Sequence, residues 1–294
     1  MEANGYTAGG LPVWRIMVAG ERSFCSNKDM CTAILGLEPG SVFLAGVRDE
    51  LIDRAWQAPG WYWPDFPGVI GGRDLLAGGT WLAVAPAARR VACVLNGMGR
   101  MAPAGSRRSR GVLPLGAAAG GKLARGKLAA FDPFHLLLAE PGRAALWSWD
   151  GEQLAGKELM AGLHMVVNSG LAGSIPPADG DTQGMAHETA RIAHFLPRLQ
   201  AAPRPDPKPG VPVREAWGAW LPLLNGDGIG PDDLRALIVR RDLGGGRIWG
   251  TTSISLISVT PEGMRYDFTP APGDPAAWYP VPLGMQQERG LCRR

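Results

Sequence analysis

Met30-Cys31-Thr32-Ala33-Ile34-Leu35-Gly36-Leu37-Glu38-Pro39-Gly40-Ser41-Val42-Phe43-Leu44-Ala45-Gly46-Val47-Arg48-Asp49-Glu50 is the stretch on which the fold turns. Two short apolar runs, Thr32 to Leu37 and Val42 to Val47, flank the turn-forming set Glu38, Pro39, Gly40 and Ser41, and the pattern predicts a β-hairpin. A cysteine directly after a methionine opens this hairpin. Removing the methionine would leave a thiol and a free α-amine on one residue, so nucleophile and base would stand together. Thiols titrate near about 8.5 and α-amines near about 8 in model compounds, so the amine can accept the thiol proton without a histidine. Position alone favours the plainer reading of Cys31 as a small buried residue.

Outward from the hairpin, apolar runs at Thr80 to Ala85, Arg90 to Leu95, Phe134 to Ala139, Ala144 to Trp149 and Leu163 to Val167 are each bounded by Gly, Pro or Asp. So many short runs predict antiparallel sheet. Helical spacing appears over Ala186 to Leu199, with Pro197 marking its end, and over Val213 to Leu224, after a proline-rich connection from Pro203 to Pro212. Strands return at Ala236 to Arg240, Ile248 to Val259 and Met264 to Phe268. Gly244, Gly245 and Gly246 read as hairpin chemistry. A phosphate-binding loop would need a helix N-terminus and a lysine after them, and here a strand follows.

The 294 residues and 46% hydrophobic content suffice for one large core, and 42 Gly and 26 Pro punctuate apolar runs without repeating, which suits a loop-rich β fold. A formal charge of +3 with scattered basic residues argues against a nucleic-acid face. The local cluster Arg107, Arg108 and Arg110 reads as a solvated loop. Cys25, Cys31, Cys93 and Cys292 have no CxxC spacing, so neither a zinc site nor a disulfide framework is indicated, and a reducing cytoplasm fits. No stretch is apolar enough to predict a secretory signal or stable membrane insertion. Residues 1–29 are open to three readings, a propeptide, a disordered arm or a misassigned start, of which the last is favoured. Residues 30–285 are expected to form the domain and 286–294 a flexible tail.

Four further segments give the pattern specificity. Val47-Arg48-Asp49-Glu50 is followed by Gly72-Arg73-Asp74-Leu75, Gly78-Gly79-Thr80-Trp81-Leu82 and Val94-Leu95-Asn96, and near the C-terminus comes Trp249-Gly250-Thr251-Thr252-Ser253-Ile254-Ser255-Leu256. In order and distance from Cys31 these resemble the NRDE family, the family of Transport and Golgi Organisation protein 2, from Met30 to about Val281. Val47 is the departure, standing where the family usually has asparagine. The resemblance implies an α+β, Ntn-hydrolase-like αββα sandwich of two antiparallel sheets flanked by helices, with the nucleophile at the start of the first strand.

By similarity to cysteine Ntn hydrolases acting on conjugated bile acids and penicillins, the resemblance makes Cys31 the nucleophile. Asp49 would hold its α-amine, Arg48 would lie near the thiolate and lower its pKa, and Asn96 would donate to the oxyanion. Arg73, Asp74, Thr80 and Trp81 become candidate substrate contacts. Each has a plainer alternative: loop-ordering pairs for Arg73 and Asp74, core packing for Trp81, a turn for Asn96. Two functions follow. The family's association with intracellular haem trafficking implies haem, or another small apolar ligand, as cargo and no required cofactor, with His135, His164, His187, His194, Cys31 and the methionines as available ligands and arginines for the propionates. The alternative is a cysteine N-terminal-nucleophile hydrolase acting on a small amide or thioester.

Overall fold

The computed structural model describes residues 31–174 and 182–284; the expectations for residues 1–29 and 286–294 fall outside the described residues. Thr32–Glu38 (β1) and Ser41–Leu51 (β2) form the expected hairpin, paired from Glu38↔Ser41 to Thr32↔Val47. Four strands follow, β3 (Trp56–Gly60), β4 (Ile70–Asp74), β5 (Leu82–Ala85) and β6 (Arg90–Asn96), then helix α1 (Val112–Gly120). Strands β7 (Phe134–Glu140), β8 (Arg143–Trp149), β9 (Leu154–Leu159), β10 (Gly162–Val167) and β11 (Gly170–Leu171) lead to helices α2 (Thr182–Ala201), α3 (Val213–Trp217) and α4 (Trp220–Leu224). The described chain closes with β12 (Arg240–Asp242), β13 (Ile248–Val259), β14 (Met264–Thr269) and β15 (Tyr279–Pro280).

These strands make two antiparallel sheets. One is a seven-stranded meander, β3 to β9 in chain order; the other is eight-stranded, in the order β11-β10-β1-β2-β13-β14-β15, with β12 also on β13. The strict two-residue alternation of the hairpin decides the layering. Ala33, Leu35, Leu37, Val42 and Leu44 face the meander and pack with Leu82, Val91, Cys93 and Leu137. Ile34, Phe43, Ala45 and Val47 face the other way, against Phe195 and Leu199 of α2, Trp217 of α3 and Trp220 of α4. Helix α1 covers the outer face of the meander through Leu113, Leu115, Ala117 and Ala118. The order is therefore helix, sheet, sheet, helix, the αββα sandwich that the resemblance implies. Among the described residues no helix is long and apolar enough to cross a membrane.

Several local expectations are corrected. Helix α2 does not stop at Pro197; it runs on to Ala201, with the Ala202 amide still donating to Arg198 O at 3.0 Å. A proline removes one helical hydrogen bond, but continuing the helix buries Leu199 completely against the sheet, which offsets much of that loss. The single helix expected over Val213 to Leu224 is two, because Gly218 adopts φ 48 and ψ −126, a conformation closed to residues with a side chain. The run Ala236 to Arg240 is strand only from Arg240 onward, although Ala236, Leu237 and Val239 are buried as an apolar run should be. Helix α1 carries no periodic apolar stripe and has Pro114 and Gly116 inside it, so spacing does not announce it. The Gly244–Gly246 reading holds: all three have positive φ and join β12 to β13 as a hairpin.

Candidate functional site

Where the two sheets meet near the start of β1, a cavity of about 670 Å³ opens, within the range of small-molecule sites. Its wall includes all eight residues singled out from the sequence: Cys31, Arg48, Asp49, Asn96, Arg73, Asp74, Thr80 and Trp81. The hairpin explains the first three. Thr32 pairs with Val47, so one step further Cys31 lies beside Arg48, and both share the sheet face that looks at the meander. The Cys31 thiol donates to the backbone carbonyl of Asp49 at 3.4 Å.

Arg48 is fixed from the neighbouring strand. Its Nη1 donates to Thr252 Oγ1 at 2.7 Å, Thr252 Oγ1 donates back to the Arg48 carbonyl at 3.2 Å, and Nη2 lies 3.5 Å from Glu50 Oε2. A register shift makes this possible: Thr251 pairs with Asp49 and Ser253 with Arg48, which leaves Thr252 as the extra residue of a bulge beside Arg48. Thr252 serves Arg48, and Thr251 serves Asp49 on the helical side, its hydroxyl donating to Asp49 Oδ1 at 2.6 Å while accepting from the Val239 amide at 2.9 Å.

The Asp49 carboxyl is completely buried. Burial pushes its pKa up to about 6, against the opposing pull of the Arg191 guanidinium and the Thr251 hydroxyl. Arg191, 1% exposed on α2, sits 3.6 Å from Asp49 Oδ2, and its other donors reach Thr32 Oγ1 at 2.8 Å and Ala236 O at 2.9 Å. The carboxylate thus ties β2 to the helical layer, and Arg191 holds β1 there through Thr32. Its main-chain carbonyl, not the carboxylate, receives the Cys31 thiol. Val47 is buried among the helical-layer residues, so the position where the family carries asparagine points away from the Cys31 face and its apolar side chain leaves no amide to satisfy.

The remaining predicted residues divide by what already holds them. Thr80 spends its hydroxyl on its own strand, donating to Leu82 O at 2.7 Å and accepting from Leu82 N at 3.2 Å. Asp74 receives Arg54 through Nε at 2.9 Å and Nη2 at 2.7 Å, and caps the following turn by accepting from Leu76 N and Ala77 N. Burial raises its pKa, but these donors outweigh burial and hold the carboxyl below its ordinary range. Trp81 packs against two core clusters, and a Cβ on Gly46 would come within 2.6 Å of its Cη2, so the glycine in β2 is what admits the indole. Asn96 ends β6 on the cavity wall, beside Val94. Arg73 is half-buried, its guanidinium carbon 6.0 Å from the Tyr62 ring centroid.

Sequence reasoning missed three parts of the site. The cluster Arg107, Arg108 and Arg110 lies in a loop whose Arg108 is exposed, as expected, but all three also line the cavity, where Arg107 pairs with Asp132 at 3.1 Å and Arg110 donates to Pro133 O at 2.7 Å. Three arginines within four positions, in a chain whose other basic residues are scattered, were the available signal. Arg191 was also missed, although it stands at four-residue steps from the buried Phe195 and Leu199 on α2, whose other arginine, Arg198, is exposed. The aromatic residues Trp56, Tyr266 and Phe268, which also line the cavity, gave no signal beyond strand patterning.

The histidines lie elsewhere. His135 bonds Ser148 and the Asn168 carbonyl and is held below its ordinary pKa by burial; His164 bonds Met160 O; His187 bonds Leu234 O and Arg241; His194 lies 2.7 Å from Asp227. His187 and His194 are buried against the 225–241 segment. No group of three or more His, Cys, Asp and Glu among the described residues is placed to hold a metal ion.

The structure of a Caenorhabditis elegans N-acylethanolamine-hydrolyzing acid amidase ortholog is similar, at 10% sequence identity and a TM-score of 0.40, covering 86% of this chain and 100% of that one. No curated protein matches the chain at a significant level. The family model of Transport and Golgi organisation 2 matches residues 30–191, which is more than half of the sequence, and the chain belongs to that family.

Proposed function

We propose that the cavity is an acyl-transfer site in which Cys31, once it heads the chain, hydrolyses a small amide or thioester. The observation that carries this reading is the placement of the Cys31 thiol on the cavity wall, oriented by the Asp49 carbonyl and beside an arginine locked by Thr252. Cleavage of the Met30–Cys31 peptide bond would free the α-amine as the base. Sulfur then attacks the substrate carbonyl carbon, forming the C–S bond. The tetrahedral adduct collapses by breaking the bond to nitrogen or sulfur, and the leaving group takes the proton held by the amine. Water attacks the resulting thioester, giving the carboxylic acid and restoring the thiol. Asn96 is the side-chain amide on the wall suited to donate to the oxyanion, and the Arg48 guanidinium supplies positive charge beside the sulfur.

A second reading, intracellular haem carriage, is favoured by the aromatic and arginine content of the same wall, which suits an apolar ring bearing acid groups. Against it, none of the described lining residues is a histidine or a methionine, which leaves Cys31 as the soft axial ligand at the cavity.

One pair of experiments tests both. Protein purified from its native cells is sequenced at its N-terminus, then incubated with acyl-amides and acyl-thioesters and weighed intact. The hydrolase reading expects chains beginning at Cys31 and an acyl adduct that Cys31→Ala abolishes. An intact Met30–Cys31 bond with no adduct overturns it. Haem titration of the same preparation expects a saturable Soret shift under the second reading, and no shift at micromolar haem refutes that one.

A further inference from the structure

Six arginines line the cavity, and carboxylates of the wall account for three. Arg48 lies against Glu50 at 3.5 Å, Arg54 against Asp74 at 2.7 Å and Arg107 against Asp132 at 3.1 Å. Asp49, the remaining lining carboxylate, is committed to Arg191 behind the sheet. Arg73, Arg108 and Arg110 therefore face the cavity with no carboxylate in ion-pair distance among the described residues. Arg110 has a neutral carbonyl, that of Pro133, and Arg108 lies 5.4 Å from the Phe131 ring centroid. Arg73 is the most telling. Its Nε is buried with no hydrogen-bond acceptor, and its guanidinium carbon stands 6.0 Å from the Tyr62 ring centroid.

Burying a cationic donor without an acceptor is destabilising, and buried polar groups in folded proteins are nearly always satisfied. A planar guanidinium fork matches the two oxygens of a carboxylate or a phosphate. Three such forks without counter-charge, in the cavity that also holds the Cys31 thiol, form a built receptor for negative charge. We propose that Arg73, Arg108 and Arg110 form an anion subsite that holds the acid end of the substrate, a carboxylate or phosphate group, while its acyl carbon lies at Cys31. The position of the reacting carbon rests on Cys31 being the nucleophile; the subsite itself does not.

Iodoacetate and iodoacetamide test this without knowledge of the substrate, since they offer a thiol the same electrophilic carbon with and without a negative charge. In each case the sulfur displaces iodide and the thiol proton goes to solvent. The full-length protein is alkylated at low ionic strength, where charge is least screened, and modification of Cys31 is followed by peptide mass mapping. The iodoacetate-to-iodoacetamide rate ratio at Cys31 is expected to exceed that of N-acetylcysteine by roughly tenfold, the effect of one charge-assisted hydrogen bond. Arg73→Gln should return the ratio to the free-thiol value. Arg143→Gln, outside the cavity, should leave it unchanged. Because the comparison is a ratio, a change in thiol reactivity common to both reagents cancels.

Pyrophosphate and citrate, added separately as protectants, distinguish a phosphate from a carboxylate preference. A free-thiol ratio in the wild type, with neither anion protecting, overturns the subsite while leaving the nucleophile reading intact. If Cys31 reacts with neither reagent, even in chains that begin at Cys31, the nucleophile reading fails. The subsite is then decided by whether pyrophosphate or citrate raises the Tm of the wild type and not of Arg73→Gln; equal shifts, or none, refute it.

Discussion

Replacing Arg191 by methionine removes the only full charge that the described structure places within ion-pair distance of the Asp49 carboxylate. Both side chains are buried, at 1% and 0% exposure, so water cannot take the place of the lost partner. Breaking one side of a buried pair typically costs about 3–5 kcal/mol, and here the substitution also releases Thr32 Oγ1 and the Ala236 carbonyl, which Arg191 serves at 2.8 and 2.9 Å. Urea unfolding should therefore show a midpoint lowered by about 1–2 M, taking a slope near about 3 kcal/mol/M. The pH dependence gives the sharper test. Asp49 has its folded-state pKa raised from 3.8 to about 6, so the stability it contributes is complete below about pH 4 and is lost as pH rises through about 6. Without Arg191, whose charge pulls that pKa down, the carboxyl moves higher still. The penalty of Arg191→Met should thus shrink at pH 5, where Asp49 takes up a proton, and be largest at pH 8. In an Asp49→Asn background the pH dependence of the Arg191→Met penalty should vanish, and the two substitutions should couple by about 2 kcal/mol. Additivity within about 0.5 kcal/mol, or a penalty independent of pH, would refute the assignment of the pair.

Thr251→Val keeps the β-branched shape but leaves Asp49 Oδ1 and the Val239 amide without their hydroxyl partner, so a loss of about 1–3 kcal/mol in chemical denaturation is expected, and a neutral result would disprove the hydrogen bonds. Gly46→Ala places a methyl 2.6 Å from Trp81 Cη2 and should cost about 1–3 kcal/mol while altering the near-ultraviolet circular dichroism; an unchanged spectrum would mean that the indole does not pack there. Cys93 is buried, which pushes its thiol up to about 12, so peptide mapping should find it unalkylated in the native protein and labelled only after denaturation.

The hairpin from Cys31 to Glu50 was legible because both of its faces meet apolar layers, so each strand reads as a short continuous apolar run on either side of a turn set. Beyond it, legibility falls where one backbone angle or one distant partner decides the outcome. The break between α3 and α4 rests on the φ of Gly218, and glycine in sequence declares freedom without saying how it is used. The arginines after Ser106 looked solvated because Asp132 and the Pro133 carbonyl, which anchor two of them, come from a different segment of the chain.

The same limit explains which parts of the site could be read. Cys31, Arg48 and Asp49 announce themselves by adjacency on one hairpin, but what Asp49 does depends on the parity of β2. Arg48 falls on the face that meets the other sheet and Asp49 on the face that meets the helices, so consecutive residues serve opposite sides of one strand. Thr251 and Thr252 repeat that division across the bulge in β13, each hydroxyl bonding the partner on its own side. The arginine-aspartate dipeptide therefore works as a bracket through the sheet. One residue keeps cationic charge at the cavity beside the thiol. The other fastens the strand to α2 through Arg191, which also holds Thr32, the residue after Cys31, so the buried pair and the thiol end of β1 share one anchor.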